Sequence, residues 1–324
     1  LILAPLPTMA PYLRFLREVG RRHLRYVFVT LGALPIRATW RQAIRRDKWR
    51  ACTLLLASFV HLAYRVKIHL RLLLEMGLPY FRVPGPVLWA RTGSFREAFA
   101  TDGLPYWRPN AVELESFDVA WARNSATNPD DLPPGRFAIY VDEAMCDHPD
   151  YAIDGLPVPT GPDAFFPALK AFFDRVEEEL GLEVIVALHP KSNYQPSELP
   201  RLFGQRRTYS GKTPGLIRRS ELVFLHNSTS LSYAVLFRKP TMFLTSHDID
   251  RSWLRCDLDV RSDWLGQPVV NIDDIGITQS ADIPSRSVDE KSYADFEDSF
   301  LHTAHATSGA PIQIVATRFE ALST

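Results

Sequence analysis

The sequence contains little that would build a disulfide framework, a zinc site or a membrane span. Only three of its 324 residues are cysteine, an odd number spread widely along the chain without a C-x-x-C pair: Cys52, Cys146 and Cys256. This usage favours neither disulfides nor zinc and indicates a reducing compartment. The most apolar run, residues 51–64, is shorter than the roughly 18 residues that a bilayer-spanning helix needs.

Several common enzyme signatures are also missing. The sequence has no G-x-G-x-x-G, G-x-S-x-G or H-E-x-x-H, and "SGKTPG" is not a P-loop because Arg206 stands where that motif begins with glycine. We therefore expect no classical dinucleotide site, no metal and no cofactor, and we interpret "RCDLDV", with Asp257 and Asp259, as a polar loop. The opening residues predict no signal peptide, since no basic region precedes their apolar run.

Charge is balanced overall but divided unevenly. The formal net charge is 0, yet residues 1–100 hold 17 Lys and Arg against 4 Asp and Glu, which leaves 20 against 33 in the remainder. A basic first part predicts a partner such as an anionic membrane or a lipid-linked substrate. In residues 40–50 and 64–77 basic residues alternate with apolar ones at helical spacing, which suits a membrane-surface helix and equally the solvated face of a core helix. No nucleic-acid-binding motif accompanies them.

Length and a 46% hydrophobic content suggest two domains, divided at the proline-rich stretch "NPDDLPPG". The boundaries are then 1–133 for a basic domain and 134–324 for a second one. In the second, apolar strands alternate with helices: "RFAIYVDEAM", "LEVIVALHP", "RRTYS", "ELVFLH", "PTMFLT" and "QPVVNI" are predicted strands. Residues 161–180 predict an amphipathic helix, and Thr213 is the predicted N-cap of another. This alternation predicts an α/β fold with a parallel sheet covered on both faces.

Three polar clusters follow these strands at the points where they end. They are Asp142, Glu143 and His148; then His189, Lys191, Ser192 and Asn193; and then His226, Asn227, Ser228, Thr229 and Ser230. Helix capping explains one such residue, but not clusters at three equivalent positions. Ligands of parallel sheets lie beyond the carboxyl ends of the strands, so the clusters predict a site for a phosphorylated ligand.

Two of these segments resemble a known family. "LHPKSN" and "HNSTSLSYAVLFRKP" are similar to the C-terminal domain of bacterial surface-polysaccharide glycosyltransferases of the GT-B architecture. The similarity is strongest to CMP-sugar-using sialyl-, polysialyl- and Kdo transferases and to the polyol-phosphate polymerases of teichoic acid synthesis. It covers about residues 136–272. The resemblance implies a GT-B-like fold of two Rossmann-like domains, with the nucleotide-sugar donor bound by the C-terminal one.

The resemblance also implies roles for individual residues. His189 and Pro190 match the motif whose histidine contacts the donor phosphate, and residues 228–230 match the motif that binds the same phosphate through hydroxyl and N–H groups. Asp142 and Glu143 are similar to an acidic pair that serves as base in polysialyltransferases, although glycine follows that pair there and Ala144 follows here. The full predicted donor-binding set is His189, Pro190, Lys191, Asn193, Thr213, His226, Asn227, Ser228, Thr229 and Ser230.

The predicted function is metal-independent transfer of a sugar from a nucleotide-activated donor, most simply a CMP-linked one, to a growing or lipid-linked surface glycan. Asp142 or Glu143, or else Asp118 of the first domain, would deprotonate the acceptor. The basic domain would hold the acceptor at the inner face of the cytoplasmic membrane. Two alternatives remain: a GT-B-like epimerase or polyol-phosphate transferase, and a non-catalytic nucleotide-binding module of a polysaccharide assembly complex.

Overall fold

The structure, a computed structural model, describes residues 10–29, 66–67, 69–92, 110–124, 132–154, 156–274, 287–302 and 311–322. The chain divides into two compact units. The first comprises residues 1–33, 38–121 and 298–324, and the second comprises residues 34–37 and 122–297. The predicted basic helix over residues 40–50 and the apolar run 51–64 lie outside the described residues.

The first unit contains a parallel sheet of three strands in the order β1 (Val27–Val29), β2 (Leu88–Thr92) and β3 (Asn110–Leu114). Val27 lies opposite Leu88, and Leu88 lies opposite Asn110. Helix α1 (Ala10–Arg21) precedes β1, and α2 (Phe117–Asn124) follows β3. Gly20, near the end of α1, has no room for a side chain, because a Cβ there would collide with the ring of Pro84.

The second unit contains six parallel strands, and every predicted strand of this region is confirmed. They are β4 (Phe137–Val141), β5 (Glu183–Leu188), β6 (Thr208–Ser210), β7 (Leu222–Leu225), β8 (Thr241–Thr245) and β9 (Val269–Asn271). Their order in the sheet is β6-β5-β4-β7-β8-β9. β4 and β8 are buried along their whole length, which is why they are continuous apolar runs.

Helices connect these strands as the alternating pattern predicts, and a further helix follows β9. They are α3 (Pro149–Asp154), α4 (Pro162–Leu180), α5 (Leu199–Phe203), α6 (Thr213–Arg219), α7 (Leu231–Leu236), α8 (His247–Asp250), α9 (Leu254–Leu265) and α10 (Glu290–Phe296). The predicted amphipathic helix is α4, which buries Phe165, Phe166, Leu169, Phe172, Phe173 and Val176. It ends at Gly181, whose φ of 59° is easily reached only without a side chain.

Two local expectations were wrong. Thr213 is the first residue inside α6, and the N-cap is Lys212, whose side chain makes no capping hydrogen bond. Pro214 therefore occupies the second helical position, which a proline fits as well as the first. Asp257 and Asp259 are not in a loop but in α9. Their spacing places them on different sides of that helix.

The end of the chain returns to the first unit, whereas the sequence suggested one domain for residues 134–324. Val315 of α11 (Pro311–Ala321) is fully buried in one apolar cluster with residues of all three strands of the first sheet. The backbone N–H of Ser116 donates to the carbonyl of Leu301 at 2.9 Å. Residues 298–324 group with the first unit because α11 covers its sheet.

The α/β class with two parallel sheets is confirmed. Among the residues described here, no helix is both long and apolar enough to cross a membrane.

Candidate functional site

The strand order of the second unit locates a crevice between two of the polar clusters. Successive strands first run from β4 outward to β6, and the chain then crosses back to β7 beside β4 and continues to β9. Ligands of open parallel sheets bind at this reversal point, outside the carboxyl ends of the two strands. β4 ends before Asp142, and β7 ends before His226. The reversal point therefore lies between the clusters at 142–143 and 226–230.

Glu143 ties these two loops together. Its two carboxylate oxygens accept the backbone N–H groups of His226 and Asn227 at 2.7 and 2.6 Å. The residue is only 8% exposed. Burial raises the pKa of its carboxyl to about 7, although the two N–H donors and the charge of Arg261 act in the opposite direction. Since both oxygens already hold the end of β7, little of this carboxylate is open to an acceptor sugar.

Asp142 makes the equivalent link to the loop after β5. One carboxylate oxygen accepts the backbone N–H of His189 at 3.1 Å, and the other accepts the N–H of Ala144 at 3.1 Å and the hydroxyl of Tyr194 at 3.4 Å. Burial raises its pKa to about 6. Ala144 has a φ of 46°, a conformation that glycine adopts more readily than other residues.

His189 presents a neutral N–H donor. Its Nδ1 accepts the backbone N–H of Lys191 at 3.2 Å, so the ring proton is on Nε2. Burial, the neighbouring His148 and the charge of Lys191 lower the pKa of His189 to about 4. The imidazole is therefore uncharged at neutral pH. Among the described residues, Nε2 has no hydrogen-bond partner.

The rest of that loop is more exposed. The Lys191 ammonium lies 2.8 Å from both carboxylate oxygens of Asp150 in α3, an exposed pair worth less than about 1 kcal/mol. Pro190 and Asn193 are exposed, and the Asn193 carbonyl accepts a bond from the side chain of Gln195. The lysine can thus turn toward an anion at small cost.

The Ser–Thr–Ser cluster after β7 leaves donors unused. The Ser228 hydroxyl accepts the backbone N–H of Ser230 at 3.1 Å, whereas the N-cap of α7, Ser230, makes no side-chain capping bond. Within the described residues, the backbone N–H groups of Ser228 and Thr229 have no acceptor. One of the three hydroxyls therefore bonds within its own loop, none caps α7, and the loop leaves a group of donors next to the crevice.

The imidazole of His226 does not face this crevice, contrary to expectation. It is fully buried, with Nδ1 2.6 Å from the carbonyl of Leu244 and Nε2 3.2 Å from the hydroxyl of Tyr140. Nδ1 therefore donates and Nε2 accepts. Burial lowers its pKa to about 4. Both ring nitrogens are used inside the core, and neither is left for a phosphate.

One further predicted residue of the second unit lies apart from the crevice. Thr213 follows β6, the edge strand, which is three strands from β7, or about 14 Å at the usual strand spacing. Asp118, the alternative base, is half-buried in α2, and its backbone N–H donates to the hydroxyl of Ser116 at 3.3 Å.

Sequence reasoning missed a buried charged group beneath the crevice. Arg261 of α9 is 3% exposed, and its Nε and Nη1 atoms have no hydrogen-bond partner among the described residues. It acts electrostatically on Glu143 and Asp257. Asn227 hydrogen-bonds Asp257, while its own Oδ1 is buried without a partner. The i, i+4 spacing of Asp257 and Arg261 was the only signal available.

A recess of about 390 Å³ lies beside the loop after β4. Cys146, Gly161, Asp248 and Arg251 are among the residues that line it. Burial raises the pKa of the Cys146 thiol to about 12, so this cysteine is not a nucleophile at neutral pH. In the part of the chain that the structure describes, no group of three His, Cys, Asp or Glu side chains is arranged to hold a metal ion.

Comparison with solved structures finds distant similarity to glycosyltransferases and UDP-GlcNAc 2-epimerases of the GT-B type. The glycosyltransferase SnogD from Streptomyces nogalater is 15% identical with a TM-score of 0.47, and the match covers 97% of this chain and 79% of that one. Staphylococcus aureus MnaA, in a co-structure with UDP, is 13% identical with a TM-score of 0.45, covering 99% and 82%. The Methanocaldococcus jannaschii UDP-GlcNAc 2-epimerase, in complex with UDP-GlcNAc and UDP, is 9% identical with a TM-score of 0.39, covering 88% and 78%.

Similarity at this level carries no argument about activity, and the fold rests on the strand order and register given above. The sequence matches no protein-family model and no curated protein.

Proposed function

We propose that the chain is a glycosyltransferase that binds a nucleotide-activated sugar at the carboxyl edge of the six-stranded sheet. The observation that carries this proposal is the distribution of donors and carboxylates at the reversal point. The carboxylates of Asp142 and Glu143 are turned inward onto backbone N–H groups. The groups left for a ligand are donors: Nε2–H of His189, the backbone N–H groups of Ser228 and Thr229, and the hydroxyl groups of residues 228–230. Such a set suits a phosphate.

The spacing of the strands supports one shared phosphate site. β5 and β7 flank β4 on either side, so their ends are about 10 Å apart. Side chains that lean inward from both loops can therefore reach a single phosphate group. Fixed donors of this kind stabilise the charge that grows on a leaving phosphate, typically by about 3 kcal/mol each. Because His189 is neutral, this stabilisation does not depend on acid pH.

In this proposal Asp142 and Glu143 are positioning residues for the donor side. Each holds a phosphate-binding loop by its backbone, and neither is open to an acceptor hydroxyl. In this proposal a group other than Asp142 and Glu143 therefore acts as the general base.

The proposed donor is CMP-linked rather than UDP-linked. The support is the resemblance of the His-Pro and Ser–Thr–Ser segments to families that use CMP-sugars. In addition, α7 lacks the glutamate with which many GT-B enzymes hold the ribose of the donor; Ser232 is buried there and Tyr233 stacks on Phe237. We further propose that the basic first unit serves a glycan or lipid-linked glycan acceptor, and that the enzyme works in the cytoplasm at the inner membrane face.

A second candidate is a nucleotide-binding module without catalysis. The inward orientation of both carboxylates favours it, since the described crevice then holds donors for binding but no assigned base. This candidate predicts nucleotide binding with no release of nucleotide from any sugar donor.

Nucleotide release from a panel of CMP-, CDP- and UDP-sugars, measured with and without magnesium, tests the proposal. We expect the chain to release CMP without magnesium, and His189→Ala to lower the rate by about a hundredfold, the effect of removing one such donor. His247→Ala is the matched control, because that histidine follows β8 at the same edge but bonds to Asp274. No release from any donor would refute the transferase assignment, and equal loss in both variants would refute the role of His189 in binding the phosphate.

A further inference from the structure

The exposed apolar side chains are concentrated in the first unit. Among the described residues, seven of the ten exposed large hydrophobic side chains lie between residues 15 and 81. Leu74 is 78% exposed and Leu78 is 76% exposed. Single exposed hydrophobic residues are ordinary, but a group of them on one segment marks an interaction surface.

Five of these side chains follow one another along a single helical segment. Residues 66–67 and 69–76 are helical, and a 3-10 helix, Leu78–Arg82, follows directly. The exposed members of this segment, which we call the apolar stripe, are Val66, Leu70, Leu74, Leu78 and Phe81. The first three recur every four residues, so they share one side of the helix.

The other side of the same helix packs into the core of the unit. Leu72 and Met76 are buried in one cluster with Leu13, Leu16 and Val19 of α1. The burial of Leu72 and Met76 is sufficient to explain why this helix packs against α1. Val66, Leu70 and Leu74 lie on the side of the helix away from this cluster.

Basic residues border the apolar stripe. Lys67 and Arg71 lie one position after Val66 and Leu70, and Arg82 closes the segment. Glu75 is the sole acidic residue between positions 66 and 82, and its carboxylate lies 2.7 Å from Arg71. Within the described residues, neither Lys67 nor Arg82 has a carboxylate partner.

We propose that the apolar stripe and its basic border bind the surface of a bilayer rich in anionic phospholipid. The leucines and Phe81 would enter the interfacial region, and Lys67 and Arg82 would lie at the level of the lipid phosphates, as in helices that rest in the plane of a membrane. Charge complementarity favours this occupant over a second copy of the chain, whose stripe would bring the same positive charges together. The inference does not depend on the nucleotide-sugar proposal.

Co-sedimentation of the full chain with lipid vesicles tests this surface. We expect binding to vesicles of equal parts phosphatidylglycerol and phosphatidylcholine to be at least about tenfold stronger than to phosphatidylcholine alone, and to weaken with salt. The double variant Leu74→Glu/Leu78→Glu should lose at least about thirtyfold in binding, since each leucine contributes on the order of tenfold. Lys67→Gln/Arg82→Gln should lose about tenfold on anionic vesicles only.

Ile312→Glu is the matched control, because Ile312 is an exposed aliphatic residue of α11 outside the stripe, 49% exposed. It should bind vesicles like the unaltered chain. Circular dichroism checks that all variants are folded. If Leu74→Glu/Leu78→Glu does not fold, Lys67→Gln/Arg82→Gln still tests the proposal. Absence of vesicle binding, equal binding to neutral vesicles, or equal loss in Ile312→Glu would overturn the proposal. Self-association that the leucine variant abolishes, without vesicle binding, would instead assign the stripe to a second copy.

Discussion

The first prediction tests whether His226 is a residue of the core or a residue of the phosphate site. His226→Ala would leave the hydroxyl of Tyr140 and the carbonyl of Leu244 without their partner and open a cavity beside Phe165. Unsatisfied buried groups cost about 1–3 kcal/mol each, and truncation of a buried ring adds to this. We expect a loss of about 4 kcal/mol in the free energy of unfolding at pH 7.5.

The loss should depend on pH in a defined direction. Burial lowers the pKa of His226 from 6.5 to about 4. A group whose folded pKa is lowered contributes stability that is fully present above its unfolded pKa and is lost as the pH falls through its folded pKa. At about 1.4 kcal/mol per pH unit, the contribution falls by roughly 3 kcal/mol between pH 6.5 and 4.5. The variant should therefore be only about 1 kcal/mol less stable than the unaltered chain at pH 4.5.

Urea unfolding, followed by tryptophan fluorescence at pH 7.5, 6.0 and 4.5, measures this difference. His247→Ala is the control, since that ring is exposed, and it should change the free energy of unfolding by less than about 0.5 kcal/mol. The same loss for His226→Ala at every pH would refute the buried neutral ring. Unchanged stability with weakened nucleotide binding would return His226 to the phosphate site.

Two further predictions concern the charges beneath the crevice. Because burial raises the pKa of Glu143 from 4.5 to about 7, this carboxyl contributes stability that is fully present below pH 4.5 and lost as the pH rises through 7. We expect the free energy of unfolding, measured with urea, to fall less between pH 5 and pH 8 in Glu143→Gln than in the unaltered chain. An equal fall in both proteins would contradict a buried carboxyl with a raised pKa. Arg261→Met removes the positive charge that acts on the buried carboxyls of Glu143 and Asp257, so the free energy of unfolding should fall by about 3–5 kcal/mol; an unchanged free energy of unfolding would mean that the charge is not needed.

The second unit could be predicted from the sequence because its strands are buried on both faces. Continuous apolar runs such as β4 and β8 are typical of strands in a covered parallel sheet, and the phenylalanine stripe of α4 has a helical period. The edge strand β6 was predicted more weakly, because only three residues form it. The same reasoning placed Asp142, His189 and Ser228 correctly at the carboxyl ends of their strands.

The orientation of side chains at that edge could not be predicted. His226 follows β7 directly, and the alternation of side chains along a strand turns its ring into the core while its backbone N–H meets Glu143 in the loop. Arg261 acts on the site from a helix more than a hundred residues after Glu143, a distance that no local pattern spans. The return of α11 to the first sheet depends on the same kind of long-range packing.

Calorimetric titration of the purified chain with CMP, CDP, UDP and GDP, with and without magnesium, tests the central claim most directly. The account predicts one site per chain that binds CMP selectively and without magnesium, and that weakens in His189→Ala but not in His247→Ala. Preference for UDP would contradict the proposed donor while leaving the phosphate site in place. Absence of binding to all four nucleotides would contradict the site itself.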